Sequence, residues 1–167
     1  MDTIIKLDKG FSAIIDSQDF ELVSAYKWYA RKGKNGNHYA TSTIHKDLHM
    51  HRLILGLTDP NKKVDHINHN GLDNRRSNIR IATHIQNNCN KRAYPNKTSK
   101  FKGVYWNKEK CKWTVQITKP GCKATHVGNF KLESEAALAY NKKAKEFHGE
   151  FACLNEVHVD SRYVDIR

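Results

Sequence analysis

Residues 64–88 form the stretch that most constrains how this chain can fold: VDHINHNGLDNRRSNIRIATHIQNN. An extended run ends in an Asp-His pair and leads into an Asn-rich segment around Gly71, which predicts a turn. A second extended run, 79–82, precedes a helix start at which Thr83 and Gln86 have the spacing of a capping box. The stretch therefore predicts a strand, a loop, a strand and a helix in immediate succession.

This short unit collects one carboxylate, one imidazole and one carboxamide, on Asp65, His66 and Asn87. Carboxylate and amide oxygens suit a hard cation such as Mg²⁺ or Mn²⁺, so Asp65 and Asn87 are candidate metal ligands. His66 titrates near neutral pH and is a candidate general base toward water. Adjacent residues on a regular strand face opposite ways, so we expect the pair to lie where the strand ends. The set suits metal-assisted hydrolysis of a phosphodiester.

On these residues the stretch resembles the HNH nucleases of the ββα-metal fold, in the variant with Asp-His at the front and Asn at the back. The resemblance implies that Asp65 and Asn87 hold the metal and that His66 is the general base. It makes Asn78 the middle Asn, which braces the hairpin and orients the histidine loop. Upstream, MHRLILGL (50–57) resembles the short helix that precedes the motif in phage and intron-encoded members, which implies homing-endonuclease-like activity.

Other histidines compete for attention. His69 is the nearest alternative to His66, but it lies in the Asn-rich loop, where a solvated turn histidine is the favoured interpretation. His45, His49 and His51 cluster in sequence, yet their i, i+4, i+6 spacing suits neither one helix face nor one strand face. We therefore predict no metal site among those three.

The formal charge of +12 and the pI near 9.6 indicate a polyanionic partner. The resemblance to nucleases implies that this partner is double-stranded DNA and that no small molecule is the substrate. The excess is uneven: residues 1–60 carry 8 basic and 7 acidic side chains, residues 61–100 carry 9 and 2, and residues 101–167 carry 12 and 8. It is thus concentrated on the motif and on the segment that follows. The basic residues predicted to contact DNA there are Arg75, Arg76, Arg80, Lys91, Arg92, Lys97 and Lys100.

The chain has neither an 18-residue apolar run nor a signal peptide, which predicts a cytoplasmic protein with no membrane partner. Its four cysteines show no CxxC pair and no zinc spacing, which predicts reduced thiols. They are Cys89, Cys111, Cys122 and Cys153.

Low hydrophobic content, 38% with a mean hydropathy of -0.76, favours small modules over one large core. We expect a nuclease domain at 1–93 that includes a β-rich leader, a basic linker at 94–100, a second module at 101–155 and a tail at 156–167. In the leader, FSAIID and HYATSTI have strand composition, 17–26 predicts a brief helix, and KGKNGN predicts a turn. Its small core is predicted to contain Phe11, Trp28, Tyr29 and Tyr39.

The second module begins with three strand-like runs, FKGVYW, KWTVQIT and THVGNF, and continues with a helical segment that Gly149 ends. Ala137, Tyr140, Ala144 and Phe147 recur at helical spacing and give that helix one apolar face. The predicted architecture is a three-stranded antiparallel sheet packed on one helix, with its other face open to DNA. The fold class of the whole chain is therefore α+β.

The frame from FKGVYW to the final Leu-Asn resembles the plant ethylene-response-factor (Apetala-type) DNA-binding domain. By position, the resemblance implies that the strands read DNA, with Lys102 and Trp106 beside the reading set. Several family Arg and Trp positions differ here, so the plant target sequence does not carry over. Trp113 is interpreted as a core aromatic. The implied reading residues are Tyr105, Asn107, Gln116, Thr118, Ala124 and His126.

Together these features predict a sequence-selective DNA endonuclease whose first module cuts and whose second module selects the site. One chain holds one catalytic set, and its surface offers no self-complementary apolar patch, which predicts a monomer that mainly nicks one strand. Two alternatives stay open: a DNA-binding regulator that no longer cuts, and a structure-selective nuclease acting on junctions.

Overall fold

The computed structural model describes residues 1–33, 36–42, 48–93 and 98–158, and the chain divides into two compact units, residues 1–87 and 88–167. The predicted α+β class is confirmed: several small antiparallel sheets alternate with short helices. Among the described residues, no helix has the length and apolar character needed to cross a bilayer. His45, Lys97, most of the predicted linker and most of the predicted tail lie outside the described residues.

Within the described ranges 1–33, 36–42 and 48–54, the leader of the first unit contains five strands and two short helices. Strands β1 and β2 form a hairpin, and β3, β4 and β5 form a second antiparallel sheet in that order. Strands β2 and β4 and the helix α1 occur within the predicted segments, whereas residues 34 and 35 of the predicted turn and residues 43 and 44 of the predicted strand lie outside the described residues. The elements are β1 (Asp2–Lys6), β2 (Ser12–Asp16), α1 (Phe20–Ser24), β3 (Trp28–Lys32), β4 (His38–Ser42), β5 (Leu48–His49) and α2 (Met50–Ile54).

The motif itself folds as predicted into β6 (Lys63–His66), β7 (Ile79–Ala82) and α3 (His84–Cys89). Its capping box is formed: the Thr83 amide donates to Gln86 Oε1 at 2.8 Å, and the Gln86 amide donates to Thr83 Oγ1 at 3.2 Å. These two bonds satisfy backbone donors that the first helical turn leaves unpaired.

The leader core is more aliphatic than predicted. Of the four aromatic residues expected there, only Trp28 is buried, with its indole N–H donating to the Val23 carbonyl at 2.8 Å. Phe11 instead stacks on His38, and Tyr39 stands near two histidines of the site described below. Small and branched side chains fill the interior because they alternate inward from β2 and β4 and from the helices. The buried set is Ala13, Ile15, Val23, Trp28, Ala40, Met50, Ile54 and Ile79.

The leader also holds the Asn-rich loop that connects β6 to β7. The Ile14 amide donates to the Leu72 carbonyl at 2.9 Å, and the Asn74 amide donates to the Ile14 carbonyl at 2.7 Å. A Cβ at Gly71 would lie 2.5 Å from the His38 carbonyl oxygen, so only glycine fits there without a shift. The loop that follows the Asp-His pair is therefore anchored by strands far earlier in the chain.

The second unit contains β8 (Val104–Asn107), β9 (Lys112–Thr118), β10 (Ala124–Phe130) and α4 (Glu133–His148). The sheet order is β10-β9-β8, and α4 packs on one face, as predicted. The helix ends at Gly149, whose φ of 53° lies in the left-handed region. A Cβ on Gly103 would collide with the Tyr140 ring, so glycine lets β8 approach the helix closely. The core comprises Val104, Val115, Ile117, Ala136, Ala137, Tyr140 and Ala144.

Candidate active site

The Asp-His pair lies at the C-terminal end of β6, where the strand gives way to the loop, as expected. Asp65 pairs with Arg80 and His66 pairs with Ile79 in the antiparallel register with β7. Both side chains are buried, with Asp65 only 4% and His66 only 7% exposed. The neighbours of each side chain therefore decide its protonation and its orientation.

Asn74 determines which nitrogen of His66 carries the proton. The Asn74 Nδ2 group donates to the Leu72 carbonyl at 3.2 Å, which leaves Oδ1 facing His66 Nε2 at 3.3 Å. An amide oxygen can only accept, so this network assigns the imidazole proton to Nε2. Nδ1 is then the basic nitrogen, the atom that a general base needs. Asn74 was not predicted from the sequence, because the loop contains several asparagines that the sequence does not distinguish.

His51 is a second residue that the sequence analysis missed. Its ring meets the His66 ring edge to face, with centroids 5.1 Å apart, and His49 stacks on its other side at 5.1 Å. The i, i+4, i+6 spacing of the three histidines does not predict packing. In the structure, α2 turns His51 inward against β6. The available signal was the resemblance of residues 50–57 to the helix that precedes the motif.

Burial keeps both inner imidazoles neutral. Desolvation lowers the pKa of His51 well below its usual range, and the neighbouring charges of His66, His49 and Arg52 lower it further. Desolvation also lowers the pKa of His66, against the opposing effects of the Asn74 hydrogen bond and of the Asp65 and Asp73 charges. His66 is therefore uncharged at neutral pH and able to accept a proton.

These shifts predict that the protein becomes less stable in mild acid. The unfolded chain binds protons at these histidines near pH 6.5, whereas the folded chain binds them only at lower pH, so the free energy of unfolding falls as pH drops below about 6.5. Each pKa unit of difference corresponds to about 1.4 kcal/mol. Melting temperatures measured between pH 7.5 and 5.5 should show the decline. The slope should be shallower in His51→Phe than in the parent protein; equal slopes in the two proteins would contradict the assignment.

Asn78 occupies the bracing position that the resemblance implies. Its Oδ1 accepts from the Asn68 amide at 3.0 Å, and its Nδ2 donates to the Asp73 carbonyl at 2.7 Å. Both bonds close the Asn-rich loop across its base. His69, the alternative base, lies in that loop with a φ of 65° and only partial burial.

The carboxylate of Asp65 is engaged by an arginine. Arg80 donates to Asp65 Oδ2 from Nε at 2.9 Å and from Nη2 at 2.7 Å, and the Arg80 side chain is only 14% exposed. Arg80 was predicted to contact DNA, and the structure places it beside a candidate metal ligand. Contact with DNA stays a prediction for this residue.

The other candidate ligand, Asn87, lies on α3, where its amide donates to the Thr83 carbonyl in the first turn. A carboxylate and a carboxamide are hard oxygen donors, so this donor set fits Mg²⁺ or Mn²⁺. Among the described residues, no group of three or more His, Cys, Asp or Glu side chains is arranged to hold a metal. The candidate set differs from such groups because it has a single carboxylate.

Two further arginines of the motif are bound to carboxylates. Arg75 contacts Asp73 at 2.6 Å and Asp2 at 2.9 Å, and Arg76 contacts Asp19 at 2.7 Å. These pairs tie the loop to the leader, and they raise the pKa of each arginine. The charge count of residues 61–100 therefore overstates the positive charge that the folded motif offers to DNA.

Of the basic residues beyond the motif, Lys91, Arg92 and Lys100 are exposed, whereas Lys102 is not. The Lys102 ammonium donates to the Cys89 carbonyl at 2.6 Å, and burial lowers its pKa. The structure thus gives Lys102 an internal contact, and its place beside the reading residues stays a prediction. None of the four cysteines forms a disulfide bond.

The face of the second sheet opposite α4 brings together most of the predicted reading residues. Strand register places Tyr105 opposite Thr114, Gln116 opposite His126, and Thr118 opposite Ala124. Gln116, Thr118, Ala124 and His126 are exposed, while Tyr105 and Asn107 are partly buried. We call this surface the open face; it comprises Tyr105, Asn107, Gln116, Thr118, Ala124, His126 and Asn129, and the Thr114 side chain on the same face is buried.

Trp106 does not belong to the open face. It pairs with Trp113 on the helix side, with ring centroids 5.1 Å apart, and Trp113 packs against the core as predicted. Asn129, which the sequence analysis missed, joins the open face instead. Its Oδ1 accepts from Thr114 at 2.8 Å and its Nδ2 lies 3.2 Å from His126 Nε2, which orients a carboxamide beside His126.

Comparison with known proteins finds relatives in a giant virus and in a phage. A protein of Acanthamoeba polyphaga mimivirus named as an uncharacterized HNH endonuclease is 37% identical over 161 residues, which cover 93% of this chain and 80% of that protein. Protein 3.8 of Escherichia phage T7 is 33% identical over 89 residues, which cover 53% of this chain and 72% of that protein. No family model matches the chain, and no solved structure matches it.

Proposed function

The chain belongs to the HNH endonuclease family, and from this premise we propose that it is a metal-dependent DNA endonuclease that selects its site and nicks one strand. The observation that carries the proposal is the environment of His66. This side chain is buried and neutral, it is hydrogen-bonded to Asn74, and it follows Asp65 in the strand. A neutral imidazole in fixed orientation is what general-base attack on a phosphodiester requires.

The proposed mechanism assigns one task to each residue. His66 Nδ1 takes a proton from the water that attacks the phosphorus, and Asn74 keeps the opposite nitrogen protonated. Asp65 and Asn87 hold a divalent cation such as Mg²⁺ or Mn²⁺. That cation supplies positive charge against the phosphate and the leaving oxygen when it is bound. Asn78 keeps the loop closed so that the histidine does not drift from its productive position.

A plasmid assay with the purified full chain tests this function. With Mg²⁺, supercoiled DNA should convert to the open circle well before linear product appears, because one chain carries one Asp65–His66–Asn87 set. A chelator should abolish cutting, and added Mn²⁺ should restore it. Full activity in the chelator would rule out the metal assignment. Immediate linear product, at a rate that rises with the square of protein concentration, would indicate a dimer.

The same assay separates the two alternatives. A DNA-binding regulator that no longer cuts would retard the plasmid in a gel and leave it supercoiled at every metal concentration. A junction nuclease would leave the plasmid intact and cut a four-way junction of synthetic strands. Nicking of plain duplex DNA contradicts both.

We propose further that residues 101–155 act as an Apetala-type recognition domain, joined by the linker 94–100 to the nuclease domain 1–93. The support is the open face, on which Gln116 and His126 lie side by side and exposed. A three-stranded sheet can enter the major groove and read base edges there.

Replacing Gln116 and His126 together by alanine should remove site preference while leaving general cutting intact, since base contacts specify and phosphate contacts position. Sites selected from random duplex DNA by the full-length protein and by this variant provide the measurement. Lys142→Ala, an exposed change on α4, is the matched control. An unchanged consensus in the double variant would move recognition to another part of the chain.

A further inference from the structure

Two positively charged groups compete for the carboxylate of Asp65: the Arg80 guanidinium and the proposed divalent metal. In the structure it accepts two hydrogen bonds from Arg80, at 2.9 and 2.7 Å, inside a region where neither side chain is much exposed. Under the proposed function the same carboxylate binds a divalent metal. Cross-strand register holds Arg80 directly opposite Asp65, so the guanidinium stays close whichever partner the carboxylate takes.

We propose that Arg80 is an exchangeable counter-ion: it neutralises Asp65 in the metal-free protein and passes to a DNA phosphate when Asp65 binds the metal. This inference rests on the proposed function. Metal and DNA then bind cooperatively, because each one stabilises the arrangement that the other needs. Arg80 becomes a phosphate-binding residue of the loaded site instead of a surface contact of the kind expected from the sequence.

The balance of charge at the site favours binding of the metal together with DNA. A divalent cation together with Arg80 places three positive charges near one carboxylate, and Asn87 is neutral. Asp73, the other acidic residue between positions 61 and 100, is bound by Arg75. Like charges repel strongly where water is largely excluded. A phosphodiester at this position supplies negative charge that offsets the excess, so binding of the metal alone should be weak.

The neighbouring arginines show why the role falls to Arg80. Arg75 and Arg76 also bind carboxylates, but their partners Asp73, Asp2 and Asp19 are not candidate metal ligands. Those pairs fasten the loop to the leader and have no reason to open when metal binds. Of the arginine–carboxylate pairs of Arg75, Arg76 and Arg80, only the Arg80–Asp65 pair includes a residue of the proposed metal site.

Calorimetric titration of Mn²⁺ into the full chain tests the coupling. His66→Ala serves as the background so that DNA is not cut, and Mn²⁺ bound by the duplex alone is subtracted. A mixed-sequence duplex should tighten Mn²⁺ binding about tenfold or more, and Mn²⁺ should tighten duplex binding by the same factor, since coupling is reciprocal. In Arg80→Gln, Mn²⁺ should bind the DNA-free protein about tenfold more tightly, and the effect of the duplex should shrink to about threefold or less.

Lys27→Gln is the matched control, because it removes the same charge at an exposed position of the same unit without touching Asp65 or the Asn-rich loop. Its Mn²⁺ affinity and its coupling should stay within about twofold of the background protein. Weaker or unchanged Mn²⁺ binding in Arg80→Gln would overturn the inference. If Asp65→Asn left the Mn²⁺ affinity unchanged, that result would instead contradict the proposed metal site. The two failures are therefore distinguishable.

A measurement on the unsubstituted protein keeps the inference testable if Arg80→Gln does not fold. The Nε–H of Arg80 donates to Asp65 in the structure, so its hydrogen exchange should be slow in metal-free protein. Saturating Mg²⁺ with a duplex should shift its ¹⁵N resonance, because the acceptor of the guanidinium changes from the carboxylate to a phosphate. The Nε–H of Arg76, bound to Asp19, is the internal reference. An Arg80 signal that follows the Arg76 signal throughout would overturn the proposed transfer of Arg80 from Asp65 to a phosphate.

Discussion

His66→Ala is expected to slow DNA cleavage by about 10²- to 10⁴-fold, the contribution of a positioned general base, while duplex affinity stays within a few-fold. His66 is buried between Asn74 and His51, so its loss removes the proton acceptor without removing a surface charge. Single-turnover cleavage of a labelled duplex at saturating protein measures the chemical step, and gel retardation measures binding.

His69→Ala is the matched control for that experiment. This residue lies three positions along the same loop, partly exposed and with a φ of 65°, and we expect cleavage within about threefold of the parent rate because a turn histidine in this loop has no predicted role in the chemistry. A normal rate in His66→Ala together with a large loss in His69→Ala would exchange the two roles. Melting curves of both variants establish that the comparison is between folded proteins.

Asp65→Asn is expected to reduce cleavage by a similar factor, and to weaken Mn²⁺ binding, because an amide oxygen donates less charge to a hard cation than a carboxylate does. The variant also deprives Arg80 of its anionic partner, and breaking a buried pair by removing one member costs about 3–5 kcal/mol at full burial. The expected loss of stability is smaller here, because asparagine still accepts a hydrogen bond and Arg80 is partly exposed.

Cleavage rates across a Mn²⁺ titration separate the two effects of Asp65→Asn. A ligand role predicts that raising Mn²⁺ recovers part of the activity, whereas a purely structural role predicts a lower melting temperature with no metal-dependent recovery. Glu109→Gln, an exposed change in the second unit that removes the same charge, should leave both the rate and the metal dependence unchanged.

The leader gains a role that its composition did not suggest. Ile14, Asp2 and Asp19 meet the Asn-rich loop through backbone bonds and arginine pairs, so the loop that follows His66 is fixed from outside the motif. A loop of this composition would otherwise lose considerable conformational entropy on ordering. The orientation of the candidate general base therefore depends on residues some fifty positions upstream.

Much of this architecture could be predicted from the sequence because it depends on neighbours along the chain. The capping box of Thr83 and Gln86, the strand composition of β6 and β7, and the apolar spacing of α4 each involve residues within a few positions. Local spacing of this kind determines backbone conformation directly. The α+β class and the order of elements followed from it.

Only the tertiary structure decided the electrostatics of the site. The His66 tautomer depends on an amide eight residues away, and its burial depends on His51, fifteen residues upstream. The sequence analysis assigned Arg80 to DNA by its charge, whereas folding places it against Asp65. Lys102 likewise faces inward. Charge and residue type are properties of the chain, but the partner that each charge meets depends on which distant segments pack together, and no local pattern encodes that.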